Sequence, residues 1–198
     1  MSIENAKMLF MLFCIMLGLI IVSPTLFALV SLPEGERFSE LWLLGTDHLI
    51  ENGVLNVSLN KPDTVHLGVC NQMGGTEYYL VSVKLLNQFQ TSQGMNDGMP
   101  SSLEPIFEYR FFLRNNQTWE KPFIFSFDRI SFEGDTLRVS KMTINGNDVF
   151  VEQVAVRDEV DGGFYYQLLF ELWIYNSTVS DFQFHDRYVW FWVNMAVL

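Results

Sequence analysis

The sequence predicts an all-β protein, an antiparallel β-sandwich carried behind one N-terminal transmembrane α-helix. Three observations predict it. Residues 8–30, MLFMLFCIMLGLIIVSPTLFALV, are 23 consecutive residues without a charge. From residue 38 onward, short runs mix apolar and polar residues at the period of half-buried strands. Clusters of Gly, Pro and Asn punctuate those runs, and no later stretch carries a helical period.

The uncharged run comes first. At helical rise it is about 35 Å long, enough for a hydrocarbon core of about 30 Å. Ser23-Pro24 would kink it, which membrane helices tolerate. Lys7 precedes the run and Glu34 and Glu36 follow it, a bias that favours an inside N-terminus. A cleaved signal peptide is the alternative, but its apolar core is usually shorter and ends in small residues, and FALVS is a poor cleavage site. Cys14 follows Leu-Phe, which is no lipid-attachment site. The expected organisation is a short cytoplasmic N-terminus (1–7), a spanning helix (8–30) and an extracytoplasmic β-sandwich domain (31–198). Glu34 to Arg37 form the polar collar where the chain leaves the bilayer.

Strands are expected at 38–44, closed by Gly45, then at 54–59 and 64–70 around the turn Lys61-Pro62-Asp63. Asn71 to Gly75 turns the chain into a strand at 77–86, with Val81, Val83 and Leu85 on one face. Residues 87–105, rich in Gly, Ser and Pro, read as an exposed loop. Further strands are expected at 106–113, 119–127, 137–144 and 149–156. The last two flank Asn145-Gly146, a strong hairpin signal. The run 164–175 is apolar on both faces, as central strands are. The closing strand, 187–197, places Val189, Phe191, Val193 and Met195 on one side and Tyr188, Trp190 and Trp192 on the other. Seven to nine strands without a helix among them argue for a sandwich.

Composition narrows the function. Twelve basic against 23 acidic residues give a net charge of -11, and only Glu4 and Lys7 are charged within residues 1–30. A domain this acidic repels phosphate backbones, which argues against nucleic acid as a partner. Two cysteines, Cys14 in the oily run and Cys70 outside it, cannot make a disulfide scaffold.

GERFSELWLLG, NVSL and TVHLGVCNQMGGTEYYLVSVKL together resemble the outer domain of an archaeal membrane-protein family of unknown function, numbered 1616. Trp119-Glu120, LLFELWIYN and RYVWFWVNM resemble its later strands. The resemblance covers roughly residues 34–86, 106–127 and 163–195. It implies an immunoglobulin-like sandwich on the outer face of an archaeal membrane. Members often carry several spanning helices where this chain offers one, and residues 128–160 have no counterpart. The family has no established activity, so no catalytic residue carries over.

Three sequons, at Asn56, Asn116 and Asn176, fall beside predicted turns or strand edges, where N-linked glycans could project. Among the histidines, His48, His66 and His185, the only compact ligand set is Asp181, His185 and Asp186. His66 and Cys70 share a strand face but stand too far apart for easy chelation. Asp158, Glu159 and Asp161 read as solvated turn residues, and Asn96-Asp97-Gly98 lacks the repeated ligands of a calcium loop. No nucleophile elbow, phosphate loop or zinc-protease helix is present. The sequence is therefore read as non-enzymatic and without a cofactor. The expected role is an accessory or structural subunit of a membrane or envelope complex. Its partners are other membrane or envelope proteins, bound through the helix and through the Tyr188, Trp190, Trp192 stripe. A surface carbohydrate-binding module is the first alternative. A copper- or zinc-binding protein, including a metal-dependent hydrolase, is the second.

Overall fold

The computed structural model describes residues 3–30, 36–47, 54–90, 98–160 and 162–195, with helix side chains described at 4, 5 and 7–21. Glu34, Gly35, His48, Asn96, Asp97 and Asp161 lie outside the described residues. The chain divides into two compact units, residues 1–36 and 37–198.

The first unit holds α1, Ile3–Val30, 28 residues long. Its apolar side chains from Met8 to Leu12 are each about two-thirds exposed. Among the described residues no helix is long and apolar enough to cross a membrane.

The second unit is the sandwich. Among the described residues its ten strands are β1 (Phe38–Leu44), β2 (Val54–Val57), β3 (Asp63–Gln72), β4 (Glu77–Asn87), β5 (Phe107–Leu113), β6 (Thr118–Glu133), β7 (Thr136–Ile144), β8 (Asn147–Val156), β9 (Phe164–Asn176) and β10 (Asp181–Met195). They form two five-stranded sheets. The first runs β1-β3-β6-β7-β8 and the second β2-β10-β9-β4-β5. Alternation fixes which residues face inward. Val65, Leu67 and Val69 of β3 and Phe123, Phe125 and Phe127 of β6 meet Val81, Val83, Tyr166, Phe170 and Val193 of the second sheet. Phe123 and Phe170 make an edge-to-face contact across that core at 5.0 Å.

Tyrosine hydroxyls join the two sheets where a purely apolar core would not. Tyr79 Oη lies 2.7 Å from Ser39 Oγ, and Tyr166 Oη donates to the Leu137 carbonyl at 2.6 Å. Asn145 Nδ2 donates to Tyr109 Oη. Burial holds the Tyr79 and Tyr109 hydroxyls neutral, pushing both up to about 12. Asn71, fully buried, donates to the Gly75 and Leu113 carbonyls and accepts from Met73 N, so its turn is held from inside.

The sandwich is as expected, with four differences. Ten strands are present rather than seven to nine. β2 pairs β10 in parallel, Trp192 beside Val54, so the second sheet is mixed rather than wholly antiparallel. β6 runs on to Glu133 because register shifts around Asp128 and Arg129 let it continue past the expected end, and Gly134, at φ +60°, closes a tight turn to β7. β10 begins at Asp181 rather than Arg187. Two extra residues, His185 and Asp186, bulge out between Phe184 and Arg187. An insertion of two preserves the inward and outward phase, so the strand survives it. The expected Asn145-Gly146 hairpin is present, with φ at +49° and +79°.

Candidate functional site

The two outer faces differ in chemistry. On the first sheet the outward face carries several paired polar residues beside the exposed Ile124 and Phe150. Arg138 bonds Glu152 at 2.9 Å, Lys141 pairs with Asp148 at 2.9 Å, and Asp128 accepts from Ser126 and Thr143. Trp42 lies flat across Gly68 and donates to Glu120 Oε2 at 3.3 Å. That indole sits between His66 and Cys70, which separates the two groups the sequence placed on one face. Both cysteines are free thiols.

The outward face of the second sheet is aromatic at both ends and charged in the middle. Register sets its rows. Trp192 stands beside Gln167, Trp190 beside Leu169, and Tyr188 beside Glu171. On the other side of β9, Leu86, Lys84 and Ser82 occupy the same rows. The predicted stripe of Tyr188, Trp190 and Trp192 therefore faces away from the core, which Val189, Phe191 and Val193 face instead. Trp190 is 47% exposed, and its ring meets that of Trp192 edge-on at 6.4 Å.

In the middle rows, Lys84 Nζ lies 2.8 Å from Glu171 Oε2, with side chains only 4% and 2% exposed. A segment of the expected exposed loop covers them. Ser101 N donates to Glu171 Oε1 and Lys84 Nζ donates to the Ser101 carbonyl, both at 2.6 Å. Residues 98–105 are thus a strap tied to a buried ion pair, because two charges removed from water need every remaining polar partner satisfied. Beside the strap a groove of about 390 Å³ is walled by Trp173, Phe182 and Arg110, with Ser82 in its lining. The buried Ser82 Oγ and Trp173 Nε1 have no hydrogen-bond partner among the described residues.

A second aromatic group occupies the far rows. Tyr78 stacks on Phe112 at 4.2 Å and meets Phe182 at 5.0 Å, and Tyr175 meets Phe182 at 5.5 Å. Adjacent on β4, Tyr78 and Tyr79 point to opposite sides: Tyr79 is in the core. The partners Phe112, Tyr175 and Phe182 were missed. Their signal was the alternation in β5, where Glu108, Arg110 and Phe112 face one way and Phe107, Tyr109 and Phe111 the other.

The sequons differ in presentation. Asn116 is exposed at φ +61° in the β5–β6 turn. Asn56 is exposed on edge strand β2, its Oδ1 accepting from Asn194 at 3.1 Å. Asn176 is half-buried, with Nδ2 donating to Gln183 at 2.8 Å and Oδ1 accepting from Thr178 N at 2.9 Å. A glycan on Asn176 would first have to displace Gln183.

Among the described residues no three His, Cys, Asp or Glu side chains are placed to hold a metal ion. His185 and Asp186 form the β10 bulge. Burial, then the nearby Arg187, hold the His185 imidazole below its ordinary range, which favours the neutral ring. Asp158 caps its own turn, accepting from Val160 N at 2.8 Å.

No family model matches the chain, and no curated protein matches it. Among solved structures it is similar to a beta-glucosidase from Listeria innocua, determined in complex with isofagomine, at 12% identity and a TM-score of 0.32. The match covers 82% of this chain, which spans only 17% of that one. A likeness of that size carries no argument about function.

Proposed function

We propose that the protein is a membrane-anchored, extracytoplasmic accessory subunit. On this reading it binds a partner protein through the outward face of its second sheet, centred on Tyr188, Trp190 and Trp192. The observation that carries the reading is the pair of indoles on that face, a 47% exposed Trp190 meeting Trp192 edge-on. Large exposed aromatics grouped on one side are the residue types that anchor protein interfaces. The apolar, exposed side chains of α1 support its placement in lipid or against partner helices. The immunoglobulin-like kinship with the archaeal family numbered 1616 and glycosylation at Asn116 and Asn56 belong to the same proposal. Solubilisation in mild detergent is expected to co-isolate a stoichiometric partner. Trp190→Ala is expected to lose that partner while unfolding at the same temperature as the parent. A lone monomer, or a Trp190→Ala chain that no longer folds, refutes the assignment.

One observation favours a carbohydrate instead. Trp192, Tyr165, Asp158, Gln88 and Val54 line a trough of about 260 Å³ at the far end of the same face. An aromatic floor with amide and carboxylate walls suits a sugar ring. Retention on glycan columns that is abolished by Trp192→Ala, with the fold intact, is the outcome that selects this reading.

A further inference from the structure

The Tyr78, Phe112, Tyr175 and Phe182 cluster lies apart from the Trp190 stripe and has its own surroundings. Phe112 is 67% exposed, and Val179, in the turn joining β9 to β10, is 55% exposed. The Arg110 guanidinium sits 5.4 Å over the Phe182 ring and is also held by Glu108.

Register places the cluster at one particular end of the sandwich. Phe38, the first residue of β1, pairs with Gln72, the last of β3. A four-residue turn then leads to Glu77, which pairs with Leu113 beside Phe112. Asn176 and Asp181 close the β9–β10 hairpin at the same end. The cluster therefore sits where the chain coming from α1 joins the first strand. Residues 31–37, seven in all, separate Val30 from Phe38 in the sequence.

We infer that this cluster docks into the headgroup region of the bilayer that holds α1. The inference rests on the reading of α1 as a spanning helix, and it adds a second lipid contact to the chain. The chemistry matches the place. Tyrosine carries an apolar ring and a polar tip, the combination enriched at membrane–water boundaries. A net charge of -11 repels anionic lipid, so the contact is made by rings and not by charge. It holds on zwitterionic membranes and is insensitive to salt.

The test uses the full chain reconstituted in phosphatidylcholine vesicles with and without brominated acyl chains. Phe112→Trp places a reporter in the cluster. Val160→Trp, at the opposite end in a 91% exposed position, is the control. The emission that Phe112→Trp adds over the parent is expected to fall by half or more in brominated vesicles, and that of Val160→Trp to stay unchanged, in both low and high salt. Equal quenching at the two positions, or none at 112, overturns the inference. Alkaline carbonate washing separates the two ideas. A chain that stays with the vesicles but shows no quenching at 112 defeats only the docking, whereas a released chain defeats the anchor and the docking with it.

Discussion

Replacing Lys84 with methionine isolates the energetics of the strap. Methionine fills nearly the same volume, so packing over β4 and β9 changes little, but the Glu171 carboxylate loses its counter-charge at 2.8 Å while remaining 2% exposed. The Ser101 carbonyl loses its donor at the same time. Stranding one member of a buried pair costs about 3–5 kcal/mol. In a domain of this size that corresponds to a melting temperature lowered by roughly 6–20 °C. Changing Lys84→Met and Glu171→Leu together removes both charges. The remaining cost is the unsatisfied Ser101 amide and carbonyl, about 1–3 kcal/mol. The double variant is therefore expected to be more stable than Lys84→Met alone. Urea unfolding of the full chain in detergent, followed by tryptophan emission, gives all four corners of the cycle. A single-variant loss below about 1 kcal/mol, or a double variant as unstable as the two singles summed, refutes the claim that the pair is buried and mutually dependent.

Gly68→Ala is expected to destabilise by about 1–3 kcal/mol, because the new Cβ would stand 2.1 Å from Trp42 Cε2; the same change in a Trp42→Ala background should cost far less by the same unfolding assay. Asn145→Ala removes the acceptor for Ile124 N and the donor to Tyr109 at a left-handed position, a loss of roughly 2–3 kcal/mol, of which Asn145→Gly should recover the backbone share. Alkaline titration reads the inter-sheet tyrosines. Burial pushes Tyr79 and Tyr109 up to about 12, above the ordinary 10, and raises Tyr166 further, so the unfolded chain releases its protons first. Stability is then expected to be level below pH 10 and to fall as pH rises from 10 to 12, with Tyr79→Phe flattening part of that fall. A curve unchanged by Tyr79→Phe contradicts the assignment.

Much of the sandwich was legible because its strands bury one face and so write the period of two directly into the sequence. β1 and β7 are where alternation and turn residues placed them, and Asn145-Gly146 named its own hairpin. What escaped notice depends on partners distant in sequence. Nothing local marks β2 as parallel to β10, since four residues paired only along one edge carry no record of direction. β6 crosses its bulges without a break in polarity that a reader could use. The strap at 98–105 looks like any polar loop, and only the placement of Lys84 opposite Leu169 and of Glu171 opposite Ser82 shows why it is tied down. The outward stripe on β10 was legible as a stripe. Which side faced the core was not, because Val189 and Trp190 are both apolar, and the choice was made by what β9 offers across the sheet.

The order of strands in the second sheet has a consequence for how the chain is made. β6, β7 and β8 are consecutive hairpins and can close as soon as they leave the ribosome. β4 can pair early with β5, but its other neighbour, β9, follows some eighty residues later, and among the described residues β2 pairs with β10 alone. Until residues 164–195 emerge, the rings of Phe123, Phe125 and Phe127 have only β4 and β5 of the opposing sheet to pack against, without Tyr166, Phe170 and Val193. The nascent protein is a half-shell with an oily concave side, vulnerable to misassociation. Any truncation that removes both β9 and β10 strands it permanently in that condition.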